Sequence, residues 1–336
     1  MALSEKTKEG PERGCFAVFD GTRGTAPLAD LAAALLARQE KDWPGLAGGY
    51  EALEEAGWRE IRGEGWGVKV QFNPRRIVSS GANLDPESIR RRPCFLCLDH
   101  LPPEQQAILY RDDYLVLCNP MPIFPGHLTI AHRRHLPQLL LENIPTFLRL
   151  SADFGSRMIL LYNGPCAGAS APNHLHFQAA PAGLLPVEKE ILDPRKRTGT
   201  RRRKGVQICR TAGLARGILV IEGKEEGNVA AAVGEVIGML CRSATSGDEP
   251  LLNLLCTRSG EGWRLALFPR LKHRPDAYFR EGEERLLISP GAADMGGLLI
   301  TPREQDFRKL TPELVAGIFR EVAFDDAAVD SLLNSL

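Results

Sequence analysis

His174-Leu175-His176-Phe177-Gln178 is the stretch on which the reading of this chain turns. In an extended strand, side chains two apart share a face, so His174, His176 and Gln178 lie on one side and Leu175 and Phe177 on the other. One face is polar and convergent; the other packs. The chain has only seven histidines, so two at this spacing stand out. The loop before them, 163–170 (NGPCAGAS), consists of small and turn-forming residues that let a backbone approach a phosphate closely. A neutral, oriented imidazole attacks phosphorus well, and the phosphoramidate it forms leaves readily when a second nucleophile arrives. The pattern predicts a two-step transfer with His176 as nucleophile. Gln178 can hold a phosphate oxygen but supplies no proton to a leaving group, which favours transfer over hydrolysis. The competing readings are a pair of satisfied sheet histidines and a plain metal site.

The chain around this stretch has 336 residues, 43% of them hydrophobic, enough for real cores and a globular fold. Lys plus Arg and Asp plus Glu both number 42, so no global field draws in nucleic acid or an acidic membrane surface. Any anion site must be built locally. No apolar run approaches the roughly 20 residues that span a bilayer, and Met1–Gly10 is polar without the apolar core of a signal peptide. The expectation is a cytoplasmic protein. Its eight cysteines then read as thiols or metal ligands before disulfides.

Cys94-Phe95-Leu96-Cys97 is the one close cysteine pair, and its spacing lets both thiolates reach one tetrahedral zinc. Two further ligands are needed, with His100, His127, His132, His135 and His174 as candidates; a redox dithiol is the rival reading. His135 follows the strand-like 126–131 (GHLTIA), and strand ends make good ligand positions. Asn73-Pro74-Arg75-Arg76 puts two guanidiniums at a bend, suited to gripping phosphates or equally to a solvated basic turn. Pro269-Arg270-Leu271-Lys272-His273 ends a later strand with three potential cations.

The remaining periodicity predicts helices over 28–56, broken near Pro44, and over 138–157 around Pro145. Strands are expected at 67–79, with a break at Asn73-Pro74 and a resumption at Ile77-Val78, and at 114–118, 126–131 and 158–162. The segment 193–205 (DPRKRTGTRRRKG) reads as an exposed basic linker or loop. Beyond it, strands at 217–222, 251–258, 263–269 and 286–289 surround a helix near 229–242, and Thr311-Pro-Glu opens a last helix through Val322. The fold class is α+β, with a first part at 1–192, the basic segment at 193–205, and a second part at 206–336 of similar element content but without the His-x-His motif.

Gln71-Phe-Asn-Pro, Cys94-Phe-Leu-Cys97, Phe124-Pro-Gly-His127-Leu, Asn163–Ser170 and His174-Leu-His176-Phe-Gln178 together resemble the transferase branch of the histidine-triad superfamily. That branch includes galactose-1-phosphate uridylyltransferases, dinucleoside tetraphosphate phosphorylases and GDP-hexose phosphorylases. The resemblance spans about 71–179, and Gly297–Val322 resembles the closing segment more loosely. It implies antiparallel sheets flanked by helices in two histidine-triad-like halves, the second degenerate. It implies a nucleotidylated His176, with Asn163, Ser170 and Gln178 orienting it or binding phosphate, and Arg75 and Arg76 as further substrate contacts. By the same resemblance the zinc ligands are Cys94, Cys97, His135 and His174. Ser170 stands four residues before His174, where the family pattern has three.

The implied activity is a nucleotidyltransferase or phosphorylase acting on a nucleotide sugar or dinucleoside polyphosphate, with phosphate or a sugar phosphate as acceptor. The alternatives are a histidine-triad hydrolase and a zinc-containing nucleotide-binding protein without turnover. Base and sugar choice depend on pocket walls, which spacing does not reveal, and oligomeric state is equally silent in the sequence.

Overall fold

Apolar runs of four to eight residues form the strands that organise the molecule, a computed structural model describing residues 14–81, 85–243, 249–260 and 262–336. Met1–Gly10 lies outside the described residues. The first seven strands are β1 (Cys15–Phe19), β2 (Gly57–Gly63), β3 (Trp66–Phe72), β4 (Ala107–Tyr110), β5 (Tyr114–Cys118), β6 (Leu128–His132) and β7 (Met158–Asn163). They are followed by β8 (His176–Pro181), β9 (Arg197–Arg203), β10 (Val206–Thr211), β11 (Ile218–Gly223), β12 (Leu252–Ser259), β13 (Gly262–Pro269) and β14 (Leu298–Thr301).

Eleven of them make one sheet in the order β1-β4-β5-β6-β8-β7-β12-β13-β11-β10-β9. Its ladders are antiparallel apart from β1 on β4. The order β4-β5-β6-β8-β7 recurs as β9-β10-β11-β13-β12. In each set a helix links the third strand to the fourth in the chain: Ile144–Phe154 between β6 and β7, Glu226–Ser243 between β11 and β12. The two halves meet edge to edge where β7 pairs with β12, placing Asn163 opposite Asn253. The fold is therefore α+β with two halves of one topology.

Residues pack on the sheet as their spacing dictates. In helix Ile144–Phe154, Pro145 occupies the first turn, where its missing N–H costs nothing, and Ile144, Phe147, Leu148, Ser151 and Phe154 are buried on one face. That helix, with Leu28–Asp42, Glu226–Ser243 and Asp326–Asn334, covers the face that carries Phe177 and Tyr162. The opposite face meets the small sheet β14-β3-β2 and helix Pro312–Val322. In that small sheet β14, from the C-terminal segment, runs parallel to β3 from the first half, so the halves are laced together. Among the described residues, no helix is long and apolar enough to cross a membrane.

Three expectations need correction. Residues 193–205 are not a loop: β9 forms the sheet's edge, paired with β10. An edge strand tolerates a sequence without large apolar residues because its side chains stay largely in water, and the charge discourages pairing with another chain. Arg197 is held by Glu222 and Arg203 by Glu235. The second half's first strand thus lies inside the segment read as a connector. Ile77-Val78 does not resume a strand: Asn73 caps a 3-10 turn by accepting the Arg75 N–H, and a single helical turn, Ile77–Ser80, follows. Residues 286–289 make no ladder, although Leu286, Leu287 and Ile288 are buried, since the Leu287 N–H donates to the Asp306 carboxylate and the Leu286 N–H to the Ala277 carbonyl.

Arg270, at the end of β13, is 4% exposed, and its guanidinium donates to the carbonyls of Val322, Pro290, Lys272 and His273 and to Asn253 Oδ1. An arginine fork can serve several carbonyls at once. Arg270→Ala removes the donor from the Pro290, Lys272 and His273 carbonyls and from Asn253 Oδ1, while the Val322 carbonyl keeps the Leu271 N–H; at about 1–3 kcal/mol for a buried unpaired group, a loss of about 3 kcal/mol or more is expected in urea unfolding.

Candidate functional site

β6 and β8 are neighbours, with Ala131 opposite His176, and β7 flanks β8 on its other side. The β7–β8 ladder ends at Leu161 opposite Gln178, just short of Asn163 and His176. There the side chain of Gln138 is inserted between the strands. Its Oε1 accepts the His176 N–H at 2.7 Å, and its Nε2 donates to the carbonyls of His176 at 3.0 Å and Asn163 at 2.9 Å. A carboxamide has one acceptor and a two-proton donor, so it substitutes for a missing stretch of strand. Gln138 was read as the start of a helix; it precedes the helix, and nothing in its sequence surroundings signals this role.

His176 is 3% exposed, and its Nδ1 lies 2.8 Å from the His174 carbonyl oxygen. A carbonyl only accepts, so Nδ1 carries the proton and Nε2 keeps its lone pair. Burial lowers the pKa to about 4, so the ring is neutral at pH 7. His176 and Gln178 share the face opposite Phe177, as the strand alternation predicts, whereas His174 sits just before the strand and turns elsewhere.

Gln178 has its own orienting partner. The Ile123 N–H donates to His127 Nδ1, which makes His127 Nε2 the protonated nitrogen, and that nitrogen donates to Gln178 Oε1 at 3.0 Å. With its oxygen so occupied, Gln178 presents its amide N–H groups to the site. Burial holds His127 neutral, with a pKa of about 4. His127 entered the sequence reading as a possible metal ligand and as part of the Phe124-Pro-Gly-His127-Leu motif, without a role beside Gln178.

Gln178, His127, Asn163 and Ser170 line a cavity of about 530 Å³. Arg76 and Arg92 bring positive charge from the first half, and His273, Arg274 and Ser289 come from the second. Phe95, Leu96 and Leu101 form an apolar end. Arg75 does not reach the cavity: it is exposed and its Nη1 donates to the Gly48 carbonyl at 2.5 Å. Of the cations after β13, Arg270 is committed to the fold and Lys272 to Asp276 and Glu321.

The loop 163–170 is held from both sides. Asn163 Oδ1 accepts from Asn253 Nδ2 at 2.8 Å and from the Ala292 N–H at 2.7 Å, while Arg92 donates to the Ser170 carbonyl at 2.6 Å. Gly168 has φ of +99° and lies against Gly291, whose Cα would be 2.7 Å from an added Cβ, so this turn admits only glycine. Asn253 and Ala292 were not singled out from sequence, because their value depends on the pairing of β7 with β12.

Cys94, Cys97, His135 and His174 converge beside the loop, with their four ligand atoms within 4.8 Å of one another. Cys94 Sγ is 3.3 Å from His174 Nδ1, and Cys97 Sγ is 3.1 Å from His135 Nδ1 and 3.6 Å from His174 Nδ1. Tetrahedral bonds of roughly 2.0–2.3 Å separate sulfur and nitrogen ligands by about 3.6 Å, so the four fit a metal ion. His174 Nε2 donates to the His132 carbonyl at 2.7 Å, which leaves Nδ1 free to ligate. Of the other candidates, His100 donates to the Cys94 carbonyl and His132 Nδ1 accepts the Arg134 N–H.

Residues 35–181 match a family described as a domain of unknown function, DUF4922, and residues 186–334 match the family described as GDPGP1-like, C-terminal domain. No curated protein matches the chain. Among solved structures, yeast Ap4A phosphorylase Apa2 is similar at 14% identity, with a TM-score of 0.61 over 90% of this chain and 98% of that one. The same enzyme in complex with Ap4A gives a TM-score of 0.55 at 14% identity over 83% and 96%. In complex with AMP it gives 0.55 at 14% identity over 87% and 97%. The chain shares the overall fold of yeast Ap4A phosphorylase Apa2, and its second half matches the GDPGP1-like C-terminal domain family.

Proposed function

We propose that this chain is a nucleotide phosphorylase or nucleotidyltransferase that works through a covalent nucleotidyl intermediate on His176. The observation that carries the reading is the bond from His176 Nδ1 to the His174 carbonyl, which fixes a neutral ring with its lone pair on Nε2. In the first step Nε2 attacks the phosphorus bonded to the nucleoside, an N–P bond forms, and the P–O bond to the departing phosphate breaks. The ring becomes cationic, and its Nδ1–H remains on the carbonyl. In the second step an oxygen of inorganic phosphate or a sugar phosphate attacks the same phosphorus, the N–P bond breaks, and the ring returns to neutral.

Gln178, Asn163, Ser170 and the N–H groups of the loop would hold the phosphoryl oxygens, with Arg76, Arg92 and Arg274 supplying the surrounding positive charge. Gln178 carries no transferable proton, which suits leaving groups that depart as phosphates. A dinucleoside polyphosphate or a nucleoside diphosphate sugar meets that condition, and similarity to an Ap4A phosphorylase and to a GDPGP1-like domain supports the choice. The apolar end at Phe95, Leu96 and Leu101 suits a base.

Cys94, Cys97, His135 and His174 would hold zinc with all four positions filled by protein, so its contribution is structural. The site lies within the chain that supports the nucleophile, because the His174 ring faces the cluster while its carbonyl holds His176.

Intact-protein and peptide mass spectrometry after incubation with Ap4A, GDP-sugars and UDP-sugars tests the reaction. A nucleoside monophosphate adduct on His176 is expected, discharged by inorganic phosphate and absent from His176→Ala, whose turnover should fall by about 10⁴-fold or more. Absence of an adduct with every one of these compounds sinks the proposal; discharge by water at the same rate without phosphate would mark a hydrolase. Elemental analysis should find zinc in the purified protein and a large drop in Cys94→Ser, with a melting temperature lower by several degrees because metal binding contributes to folding. Unchanged metal content in that variant would remove these residues as ligands.

A further inference from the structure

Glu249, which begins the segment leading into β12, is 6% exposed and lies against β7 of the other half. Its Oε2 accepts the Tyr162 O–H at 2.5 Å, and its Oε1 accepts the Leu140 N–H at 2.5 Å. Tyr162 is fully buried, and its hydroxyl is also 3.2 Å from the Gln138 carbonyl oxygen. One carboxyl therefore ties β7 to the segment 138–140, and that segment carries the amide inserted between Asn163 and His176. Glu249 thereby holds Leu140, two residues from Gln138, and Tyr162, whose hydroxyl lies beside the Gln138 carbonyl, and Gln138 in turn holds both backbone polar groups of His176.

The burial of an acid here needs a reason. Ionised carboxylates are costly to bury without a cation, and the groups that set the state of this one are burial, Tyr162 and the Leu140 N–H. Cys241, on the helix that precedes it, is a further titratable group among the described residues that feels its charge. Burial pushes the carboxyl up to about 7. An apolar residue would fill the same volume at lower cost, but it could not hold a tyrosine hydroxyl and a backbone N–H at once.

We propose that Glu249, supplied by the second half, is a positioning residue for the nucleophile, holding Gln138 through Tyr162 and Leu140 so that His176 keeps its attacking geometry. The inference rests on His176 being the nucleophile. It also assigns the second half a task at the reaction centre without any contact of Glu249 with substrate. A displacement on the order of 1 Å at a reacting group can cost about 10²-fold in rate.

The test is single-turnover adduct formation at saturating and limiting Ap4A or nucleotide sugar, using whichever labels the wild-type protein, at a temperature where circular dichroism shows each variant folded. Glu249→Ala and Tyr162→Phe are expected to reach full adduct stoichiometry, with the maximal rate lowered about 10- to 100-fold and the half-saturating concentration within about twofold of wild type. Glu249→Gln should restore the rate to within about threefold. Its oxygen can accept from Leu140 and its amide can donate to Tyr162, turning the tyrosine O–H onto the Gln138 carbonyl.

Wild-type rates in both disruptive variants, a loss confined to the half-saturating concentration, or Glu249→Gln as slow as Glu249→Ala would each overturn the inference. If Glu249→Ala does not fold, Tyr162→Phe, which preserves the packed ring, decides alone. Failure of wild-type protein to form any adduct would instead bring down the nucleophile assignment, and that failure is recognisable because it precedes any comparison of variants.

Discussion

The bond from His176 Nδ1 to the His174 carbonyl is the constraint around which the centre is arranged. It requires a chain that bends between the two residues, so that one residue's main chain meets the next-but-one residue's side chain. β8 begins at His176, and His174 lies outside it with its ring turned toward Cys94 and Cys97. A regular strand through both residues would put the two rings side by side on one face and leave the proton on Nδ1 without its acceptor. The departure from regular strand thus separates the two histidines into different tasks.

Keeping that bend costs hydrogen bonds, because the β7–β8 ladder cannot continue past Leu161 and Gln178. Buried main-chain groups must be satisfied, and the Gln138 carboxamide does so for three of them at the point where the strands part. The second half explains why this holds under load. Residues 164–175 separate β7 from β8, whereas only 260 and 261 separate β12 from β13. The half with the short connection supplies Asn253, Ala292 and Glu249, which bond to the loop and strand of the other.

What was legible in the sequence was local. Alternation in 174–178 placed His176 and Gln178 opposite Phe177, and the spacing of Cys94 and Cys97 marked a pair that the fold brings together with His135 and His174. Periodicity located the central helices and most strands of the large sheet. Other features depend on contacts that exist only once the chain has folded. Asn253 matters because β12 lies on β7, and Arg270 is buried because four carbonyls and an amide oxygen surround it. β9 escaped notice because an edge strand in water need show no apolar face, and its arginines answer to Glu222 and Glu235. Arg75 and Arg76 are adjacent in sequence, yet the 3-10 turn capped by Asn73 sends only Arg76 to the cavity.

The orientation of Gln178 bears on the direction of the chemistry. Its oxygen is occupied by His127, whose own tautomer is set by the Ile123 N–H, so the amide faces the cavity as donor only. A donor stabilises charge on phosphoryl oxygens equally well when the leaving group departs and when the acceptor attacks, and it favours neither direction by giving or taking a proton. In the proposed transfer two neutral histidines would serve without acid–base work: His176 by offering a lone pair, His127 by holding the oxygen of Gln178. An acceptor that arrives already ionised, as a phosphate does, completes a cycle in which no step needs a proton from the protein.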